Sequence, residues 1–386
     1  MNGIKLFDIT EILRTNSKEY IFNPSISVFE KDTYFVSYRS IENEDGRHPW
    51  DNNWISDSDI TKFCILEYKD EVFTKIHTFS KNIVAVDLRL IKHPTEINTY
   101  FGVGNVKIQN NNIKVGDNIL QIFSGNKEID CDSVGKCIAQ LIYTIIIKSK
   151  KNSFELIITP PDILCKNLSS PIEKNWSLWF DNNDLLITYG LAHGPKKSWW
   201  ATVKTIDFIN MKTSNQINKS KSLCSVVNLS KNIKFDFSII ETNYKNMHLS
   251  LSTPSLKYND GWISLGHIKI KNEEISENEY INKVIKFIKE NCKNHHMYIY
   301  ASFFYFFKKD EKNFYFIDKV SKLFIILDCN TSVQFITGIE VRKNNLLISY
   351  GDSDKMAKII LVDINSIEWI DNFNEEWKLM VIKTSE

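Results

Sequence analysis

One unit of sequence recurs five times along the chain, and it constrains the fold more than any other feature. Each copy has an apolar, strand-like run, a short turn rich in Asn, Asp, Lys or Gly, and a second run ending on Tyr, Gly, His or Arg. This pattern is typical of a β-hairpin. The copies occupy residues 24–39, 87–104, 175–190, 253–267 and 338–351.

Five matched hairpins predict an all-β fold, a five-bladed β-propeller with one or two peripheral helices. The blades start near residues 24, 87, 175, 253 and 338. These starts lie farther apart than the roughly 40–50 residues of a minimal four-stranded blade, which leaves room for long loops. Proline and glycine are sparse, at 8 and 13 residues, and no linker divides the chain. We therefore predict one domain over residues 1–386, with a large β-sandwich or barrel as the alternative.

Helix signals are found in two segments. Residues 8–13 predict a short helix capped by Asp8, and residues 277–292 predict a longer one. The apolar residues of the longer segment fall on one helical stripe, at Ile281, Val284, Ile285 and Ile288. This pattern is typical of a helix that packs on a larger body by one face. We predict a helical insertion on the outside of the propeller, where it is also a candidate surface for a homo-oligomer.

The composition excludes several classes of protein. Forty-eight Lys and Arg residues against forty-seven Asp and Glu residues leave a net charge of +1. Nucleic acids and anionic membranes are bound by a positive surplus, so neither is an expected partner. No apolar run approaches the roughly 18 residues of a membrane span, and no signal-peptide pattern begins the sequence. The seven cysteines are scattered without a CxxC, which favours a reducing, cytoplasmic compartment. We expect no metal.

The chemistry-bearing motifs fall at matching ends of the hairpins. In a propeller the first strand of each blade lines the axis, so such residues converge on one central pocket. In blade order the motifs are Phe22-Asn-Pro-Ser with Tyr38-Arg39, Asp87-Leu-Arg89, Glu173-Lys-Asn-Trp176, Thr253-Pro with Gly266-His267, and Thr337-Gly with Ser349-Tyr-Gly-Asp-Ser-Asp354. Together, over roughly residues 20–365, they resemble the five-bladed propellers of glycoside hydrolase family 130, which include mannoside phosphorylases and related mannosyltransferases.

This resemblance implies a carbohydrate-active enzyme. The implied reaction is inverting transfer of a hexosyl group, mannosyl in this family, by a glycoside phosphorylase or glycosyltransferase mechanism. Such an enzyme needs no cofactor. Its co-substrate is phosphate or a nucleotide sugar, and its partners are that sugar phosphate or nucleotide sugar and a glycan acceptor.

Asp87 is the residue on which the resemblance depends most. Family members carry a Glu-Asp-Pro-Arg motif whose Asp is the general acid. Residues 85–89 here read Ala-Val-Asp-Leu-Arg, so the Asp and Arg are kept while the Glu and Pro are lost. We predict Asp87 as the general acid. Arg89, on the same strand face, would orient its carboxylate or bind an anion. A purely structural pair of Asp87 and Arg89 is the alternative.

Phosphate is already a nucleophile, so a phosphorylase needs cations that hold it rather than a base that activates water. The cations predicted to bind phosphate or a diphosphate are Arg39, Arg89, Lys174 and His267. Amide and carboxylate groups offer paired hydrogen-bonding sites that suit sugar hydroxyls. The residues predicted to hold those hydroxyls are Asn23, Asn175 and Asp352. The alternatives are a solvated turn position for Lys174 and a core position for His267.

Two other functions remain open at the level of sequence. An inverting hydrolase would use a second carboxylate to activate water, about 6.5–9.5 Å from the first, and Glu173 is the first candidate. A propeller that binds a glycan or a protein without turnover would instead bury Asp87 in a fixed ion pair with Arg89.

Overall fold

The fold is built almost entirely from antiparallel strands. The computed structural model describes residues 4–42, 59–108, 112–115, 118–121, 137–151, 153–159, 175–188, 203–206, 224–226, 235, 247–271, 279–291, 298–326, 333–371 and 379–382. Within them, five sheets of four or more strands follow one another along the chain. We call these sheets blades 1 to 5.

Blade 5 is completed by β1 (Lys5–Asp8), the first strand of the chain, which the short helix α1 (Thr10–Leu13) follows. Blade 1 contains β2 (Glu19–Glu30), β3 (Thr33–Glu42), β4 (Ile60–Lys69) and β5 (Val72–Thr78). Blade 2 begins with β6 (Val86–Lys92) and β7 (Thr99–Ile108), then the separate hairpin β8 (Asn112–Val115) and β9 (Asn118–Gln121) intervenes, and β10 (Cys137–Lys150) and β11 (Ser153–Thr159) complete the blade. Blade 3 contains β12 (Ser177–Asp181), β13 (Asp184–Thr188), β14 (Val203–Ile206) and β15 (Cys224–Val226).

Blade 4 is the largest sheet, and helix α2 (Glu279–Asn291) lies between two of its strands in sequence. Its first strands are β16 (Met247–Leu251), β17 (Leu256–Tyr258), β18 (Gly261–Lys271), β19 (Tyr298–Lys309), β20 (Tyr315–Ser321) and β21 (Leu323–Ile326). Blade 5 contributes β22 (Gln334–Arg342), β23 (Asn345–Asp352) and β24 (Met356–Asp363), which a 3-10 turn (Ile364–Ser366) follows. Two late strands, β25 (Trp369–Ile370) and β26 (Leu379–Ile382), join blade 4.

The inner strands of the five blades form a closed ring. Strand β2 contacts β6, β6 contacts β12, β12 contacts β17, β17 contacts β22, and β22 contacts β2 again. Five separate sheets around one ring are the arrangement of a five-bladed β-propeller, so the predicted fold class is confirmed. The predicted hairpins coincide with the two inner strands of each blade, for example β2 with β3 and β22 with β23.

The ring is closed by pairing between distant parts of the chain. Strand β1 pairs antiparallel with β24, Leu6 lying opposite Ile360, and thereby becomes the outer strand of blade 5. Ion pairs add to this closure, because Arg342 of blade 5 binds Asp32 of blade 1 at 2.8 Å. Blades 1 and 5 are therefore held together at both their inner and their outer strands.

Apolar packing between neighbouring blades forms the core. Between blades 3 and 4, the Trp179 ring lies 4.9 Å from that of Trp262 and 5.0 Å from that of Phe307. Trp176 and Trp179 are both buried, so core packing accounts for Trp179. Aromatic pairs of this kind add about 0.5–1.5 kcal/mol each beyond the area they bury.

The two predicted helices are present with slightly different ends. Helix α1 begins at Thr10, whose backbone N–H donates to the Asp8 carboxylate at 2.9 Å. Helix α2 buries Ile285 and Ile288 against blade 4 and exposes Lys283 and Lys286, as an apolar stripe dictates. No helix in the described ranges is long and apolar enough to cross a membrane.

Candidate active site

The inner strands are interrupted where the predicted motifs fall. The pairing register shifts between Phe22 and Ser25 in blade 1, between Val86 and Arg89 in blade 2, and between Ile336 and Gly338 in blade 5. In blade 4 the inner strand is split into β16 and β17 around Thr253 and Pro254. Such bulges are common beside active sites because they aim side chains away from the regular pleat.

Three of the predicted site residues occupy left-handed backbone at these interruptions. Asn23 has φ 48°, Asp87 has φ 55°, and Asn175, two residues before β12, has φ 64°. Non-glycine residues seldom adopt this conformation, and Asn and Asp tolerate it best. Backbone strain of this kind concentrates at functional sites. The sequence motif thus corresponds to an Asn or Asp residue with left-handed backbone, one in each of the first three blades.

Asp87 lies at the centre of a polar network between blades 1 and 2. Its Oδ1 accepts hydrogen bonds from Asn23 Nδ2 at 2.7 Å and from Arg39 Nη1 at 3.4 Å. Its Oδ2 accepts from Asn105 Nδ2 at 3.3 Å. The residue is only 7% exposed. Three donors from three strands therefore fix the carboxylate in one orientation.

Arg39 is the cation beside this carboxylate, and it is also buried. Its Nε donates to Asp59 Oδ1 at 2.7 Å, its Nη2 donates to Asp59 Oδ2, and its guanidinium lies 4.8 Å from the centre of the Phe22 ring. Burial alone would lower the pKa of Arg39, but the carboxylates of Asp59 and Asp87 raise it above its ordinary value. Arg39 is thus a permanent cation held in two-point contact with Asp59.

Arg89 extends from blade 2 towards blades 3 and 5. Its Nη2 donates to Asn175 Oδ1 at 2.6 Å and its Nη1 to the Trp176 carbonyl at 3.2 Å. Its guanidinium lies 5.7 Å from the centre of the Phe335 ring. Burial lowers the pKa of Arg89 to about 10, with the Asp87 carboxylate acting in the opposite direction, so the group is charged at neutral pH.

The geometry of Arg89 bears on the predicted alternative of a fixed pair with Asp87. Within the described ranges, no ion pair joins Arg89 to Asp87, and Asp87 pairs instead with Arg39. In the same part of the chain, Arg89 Nε is buried without a hydrogen-bond partner. A buried cation with an unsatisfied N–H is a group that a bound anion would stabilise.

A chain of hydrogen bonds through side-chain amides connects the surroundings of Asp87 with those of Arg89. Gln140 Nε2 donates to Asn105 Oδ1 at 2.6 Å, and the Trp176 backbone N–H donates to Gln140 Oε1 at 2.8 Å. The relay orients Asn105 towards Asp87 and fixes the Trp176 carbonyl towards Arg89. Asn105 and Gln140 lie on the second and third strands of blade 2, and the sequence analysis did not select them.

His267 of blade 4 is buried and lies on the same side of the ring. Its Nδ1 is 2.8 Å from Ser252 Oγ, and its ring centre is 5.3 Å from that of Tyr300 and 5.4 Å from that of Phe335. Since Phe335 also contacts Arg89, the ring of His267 is one side chain away from that guanidinium. Blades 4 and 5 thus contribute an aromatic and imidazole surface beside Arg89.

Asp354 brings a third carboxyl group to Arg39. It follows β23 in a turn in which Ser353 and Asp354 both adopt left-handed backbone, with φ of 63° and 51°. Its carboxyl group lies within the electrostatic reach of Arg39, Asp59 and Asp87. Burial, together with the Asp87 and Asp59 carboxylates, raises the pKa of Asp354 to about 7, although Arg39 and Asn23 act to lower it. The sequence analysis included Asp354 in a motif without giving it a role.

Asp352, predicted to hold a sugar hydroxyl, lies in a different environment. Its carboxylate accepts from Lys358 Nζ at 2.9 Å and from Ser353 Oγ at 2.8 Å, and it is fully buried. These contacts fix the turn that carries Asp354. The structure therefore joins Asn23, Arg39 and Asp87 to one another, and Arg89 to Asn175, with His267 close by, while Asp352 is paired elsewhere.

Other sequence candidates fall outside the described residues. They are Lys174 and Glu173. In the part that is described, no group of three or more His, Cys, Asp or Glu side chains is arranged to hold a metal ion.

The comparisons with known proteins give matches among solved structures. No protein-family model and no curated protein matches the chain. A mannose phosphorylase from Leishmania mexicana, in complex with a phosphate ion, is similar over 94% of this chain and 91% of its own, with 12% identity and a TM-score of 0.42. A β-1,2-mannobiose phosphorylase from Listeria innocua is similar over 95% and 98%, with 10% identity and a TM-score of 0.45.

A third similar structure is a GDP-Man-dependent mannosyltransferase from Leishmania mexicana. It matches over 93% of this chain and 91% of its own, with 11% identity and a TM-score of 0.43.

Proposed function

We propose that this protein is an enzyme that transfers a hexosyl group, with inversion, between a glycoside and either phosphate or a nucleoside diphosphate. The sugar that the motif resemblance favours is mannose. One observation carries the proposal: buried carboxyl groups and a guanidinium with an unsatisfied N–H converge on the interrupted inner strands. Asp87 and Arg89, two residues apart, have different partners, so one can serve as a carboxyl group near the reacting bond and the other as the site for the anion.

The transfer of a hexosyl group requires a proton donor and a site that binds phosphate. The oxygen that leaves the hexosyl carbon must receive a proton, and the entering or leaving phosphate must be held against its charge. The carboxyl groups of Asp87 and Asp354, which both interact with Arg39, are the candidate sources of this proton. Asn23 and Asn175 are the amides nearest to them and can bind sugar hydroxyls.

Arg89 and His267 are the groups we assign to the anion. Arg89 has no carboxylate partner within the described ranges, and its Nε is unsatisfied there. Arg39 was predicted to share this role, but both of its ends already contact carboxylates, Asp59 and Asp87. We therefore assign Arg39 to the carboxyl groups rather than to phosphate. Its charge keeps those groups together without excluding an anion farther along the ring.

A thermal-shift panel tests the proposal. The ligands are phosphate, mannose 1-phosphate, glucose 1-phosphate, GDP-mannose and UDP-glucose, measured against the wild-type protein, Arg89→Met and the surface control Arg342→Met. A ligand at 100 times its Kd stabilises the folded state by about 2.7 kcal/mol. We expect phosphate and a hexose 1-phosphate to raise the Tm of the wild type and of Arg342→Met but not of Arg89→Met.

Turnover then separates the reaction classes. Release of phosphate from a hexose 1-phosphate in the presence of a free sugar acceptor supports the phosphorylase, and transfer from a nucleotide sugar alone supports the transferase. Hydrolysis of mannosides without phosphate would favour the hydrolase predicted as an alternative. Shifts that are equal in Arg89→Met and in the wild type would contradict the assignment of Arg89.

A further inference from the structure

Lys269 adds a cation to the face of blade 4 that carries His267. The two residues are two apart on β18, so their side chains lie on the same face of the strand. Tyr300, directly opposite Lys269 on β19, shares that face. Its ring centre lies 5.3 Å from that of His267 and 6.2 Å from that of Phe335 in blade 5. Because Phe335 also contacts the Arg89 guanidinium, Lys269 is two rings away from the cation that we assign to the anion.

The Lys269 ammonium is held by aromatic rings. Its Nζ lies 3.8 Å from the centre of the Tyr298 ring and 5.9 Å from that of the Tyr300 ring. Within the described residues, no carboxylate forms an ion pair with it. The side chain is partly buried, and desolvation lowers the pKa of Lys269. Ring faces attract the positive charge but offer no lone pairs, so N–H donors of the ammonium remain for an anion.

Lys269 is offset from His267 along the strand. Residues two apart on a strand are separated by about 7 Å. Tyr298 lies opposite Lys271, farther along β18. The ammonium, which is closer to Tyr298 than to Tyr300, therefore leans away from His267. Such a separation suits two anionic groups on one hexose better than two oxygens of a single phosphate.

We propose that Lys269, with Tyr298 and Tyr300, binds a second anionic group, a phosphate ester that the sugar carries away from its anomeric carbon. The inference rests on the proposed function for the place of the first anion, at Arg89 and His267. A phosphate ester fits better than a carboxylate, because the Lys ammonium binds phosphate as a point charge, whereas the fork of an Arg matches a carboxylate. The site thus selects a phosphorylated sugar over a neutral one.

Isothermal titration of the full chain with mannose 6-phosphate and with mannose tests this site. We expect the wild type to bind the phosphate ester about ten times more tightly, a difference of about 1.4 kcal/mol. Lys269→Met loses this preference, and Lys269→Arg keeps part of it. Arg89→Met keeps it, because the ester group does not occupy the site of the first anion.

Lys257→Met is the matched control. Lys257 Nζ also lies over an aromatic ring, 3.9 Å from the centre of Trp262. That contact is exposed and lies beside the turn of the hairpin, where Lys257 pairs with Trp262, at the opposite end of β18 from Lys269. We therefore expect Lys257→Met to bind both sugars as the wild type does.

Four results would overturn the proposal. They are no preference in the wild type, a preference that Lys269→Met retains, an equal loss in Lys257→Met, and a loss in Arg89→Met alone. If Lys269→Met does not fold, Lys269→Gln decides. The Arg89-dependent binding of phosphate and mannose 1-phosphate tests the proposed function separately. A preference that depends on Lys269 without such binding would refute the proposed function only, and the reverse result would refute this inference only.

Discussion

Two of the places where the described part of the protein buries carboxylates beside cations differ in their balance of charge. Asp352 and Lys358 form an ion pair of one carboxylate and one ammonium, and Ser353 Oγ also donates to the Asp352 carboxylate. Around Arg39, one guanidinium faces the carboxyl groups of Asp59, Asp87 and Asp354.

A balanced pair of this kind has no need of a ligand, since each charge has its partner. In a cluster with more carboxyl groups than cations, binding of a proton or a ligand relieves the repulsion between the carboxylates. The balance of charge therefore separates a structural carboxylate from a chemically competent one, even though Asp87 and Asp352 are both buried. Burial alone would have placed the two residues in one class.

The largest expected effect compares the two cations through double substitutions. Arg39→Met with Asp59→Asn leaves Asp87 and Asp354 without their cation, so we expect a loss of about 3–5 kcal/mol in the free energy of unfolding. Asp352→Asn with Lys358→Met removes a balanced pair, so the loss should be about 1 kcal/mol or less. Urea denaturation at pH 7.5 measures both. Equal losses would mean that the two clusters are equivalent.

Single substitutions of the two carboxylates should also lower the free energy of unfolding by different amounts. Asp352→Asn leaves Lys358 buried without a counter-charge, which costs about 3 kcal/mol. Asp87→Asn keeps a residue that tolerates φ 55° and relieves repulsion among three carboxyl groups, so we expect stability within about 1 kcal/mol of wild type. Denaturation curves of the two variants, measured side by side, check this. A more severe loss in Asp87→Asn would contradict it.

Gly351 offers a steric test of the contact that joins blades 1 and 5. A Cβ at this position would lie 1.9 Å from Asn23 Oδ1 and 2.8 Å from the Asn23 backbone nitrogen. Gly351→Ala must therefore displace Asn23, at a cost of about 1–3 kcal/mol. In Gly102→Ala, the control, a Cβ would meet only the Leu88 side chain at 3.0 Å, and we expect a smaller loss of Tm. Equal losses would show that Asn23 moves freely.

The smallest effect concerns the pH dependence of stability. The pKa of Asp354 is about 7 in the folded protein, against about 4 for an exposed aspartate. The folded state thus binds more protons between these values, and stability falls as pH rises from about 4 to about 7. Asp354→Asn should flatten this slope above about pH 6 in a series of Tm measurements between pH 5 and 8, while Asp59, whose pKa burial raises to about 6, keeps its own contribution at lower pH. Asp32→Asn should leave it unchanged, because the pKa of Asp32 is lowered and its contribution is lost only at acidic pH.

The repeat in the sequence was sufficient to predict the ring and most residues on its inner strands. Asn23, Asp87 and Asn175 were found because each opens a hairpin, and the same position takes the left-handed backbone. Asp59 could not be found in this way, because it precedes the third strand of blade 1 and reaches the site only through Arg39.

Asp352 shows the limit of choosing by proximity in sequence. It was selected over Asp354, two residues later, although Asp354 is the one that interacts with Arg39. Two residues of the turn, Ser353 and Asp354, have left-handed backbone, so the side chains of Asp352 and Asp354 point in different directions. The sequence motif gave no sign of this turn. The partner of Asp352, Lys358, lies on the next strand, β24, where no motif marked it.

The pairing of β1 with β24 has a consequence for the order of events during biosynthesis. Strand β1 leaves the ribosome before the rest of the propeller, yet Leu6 cannot pair with Ile360 until the residues between them have been made. At ~5–20 residues per second, that interval is ~20–70 s. During it, the edge of β1 is unpaired and open to association with other chains, a hazard that exposed strands carry. Chaperone dependence of this protein in cells should therefore concentrate in the interval before residue 360 emerges.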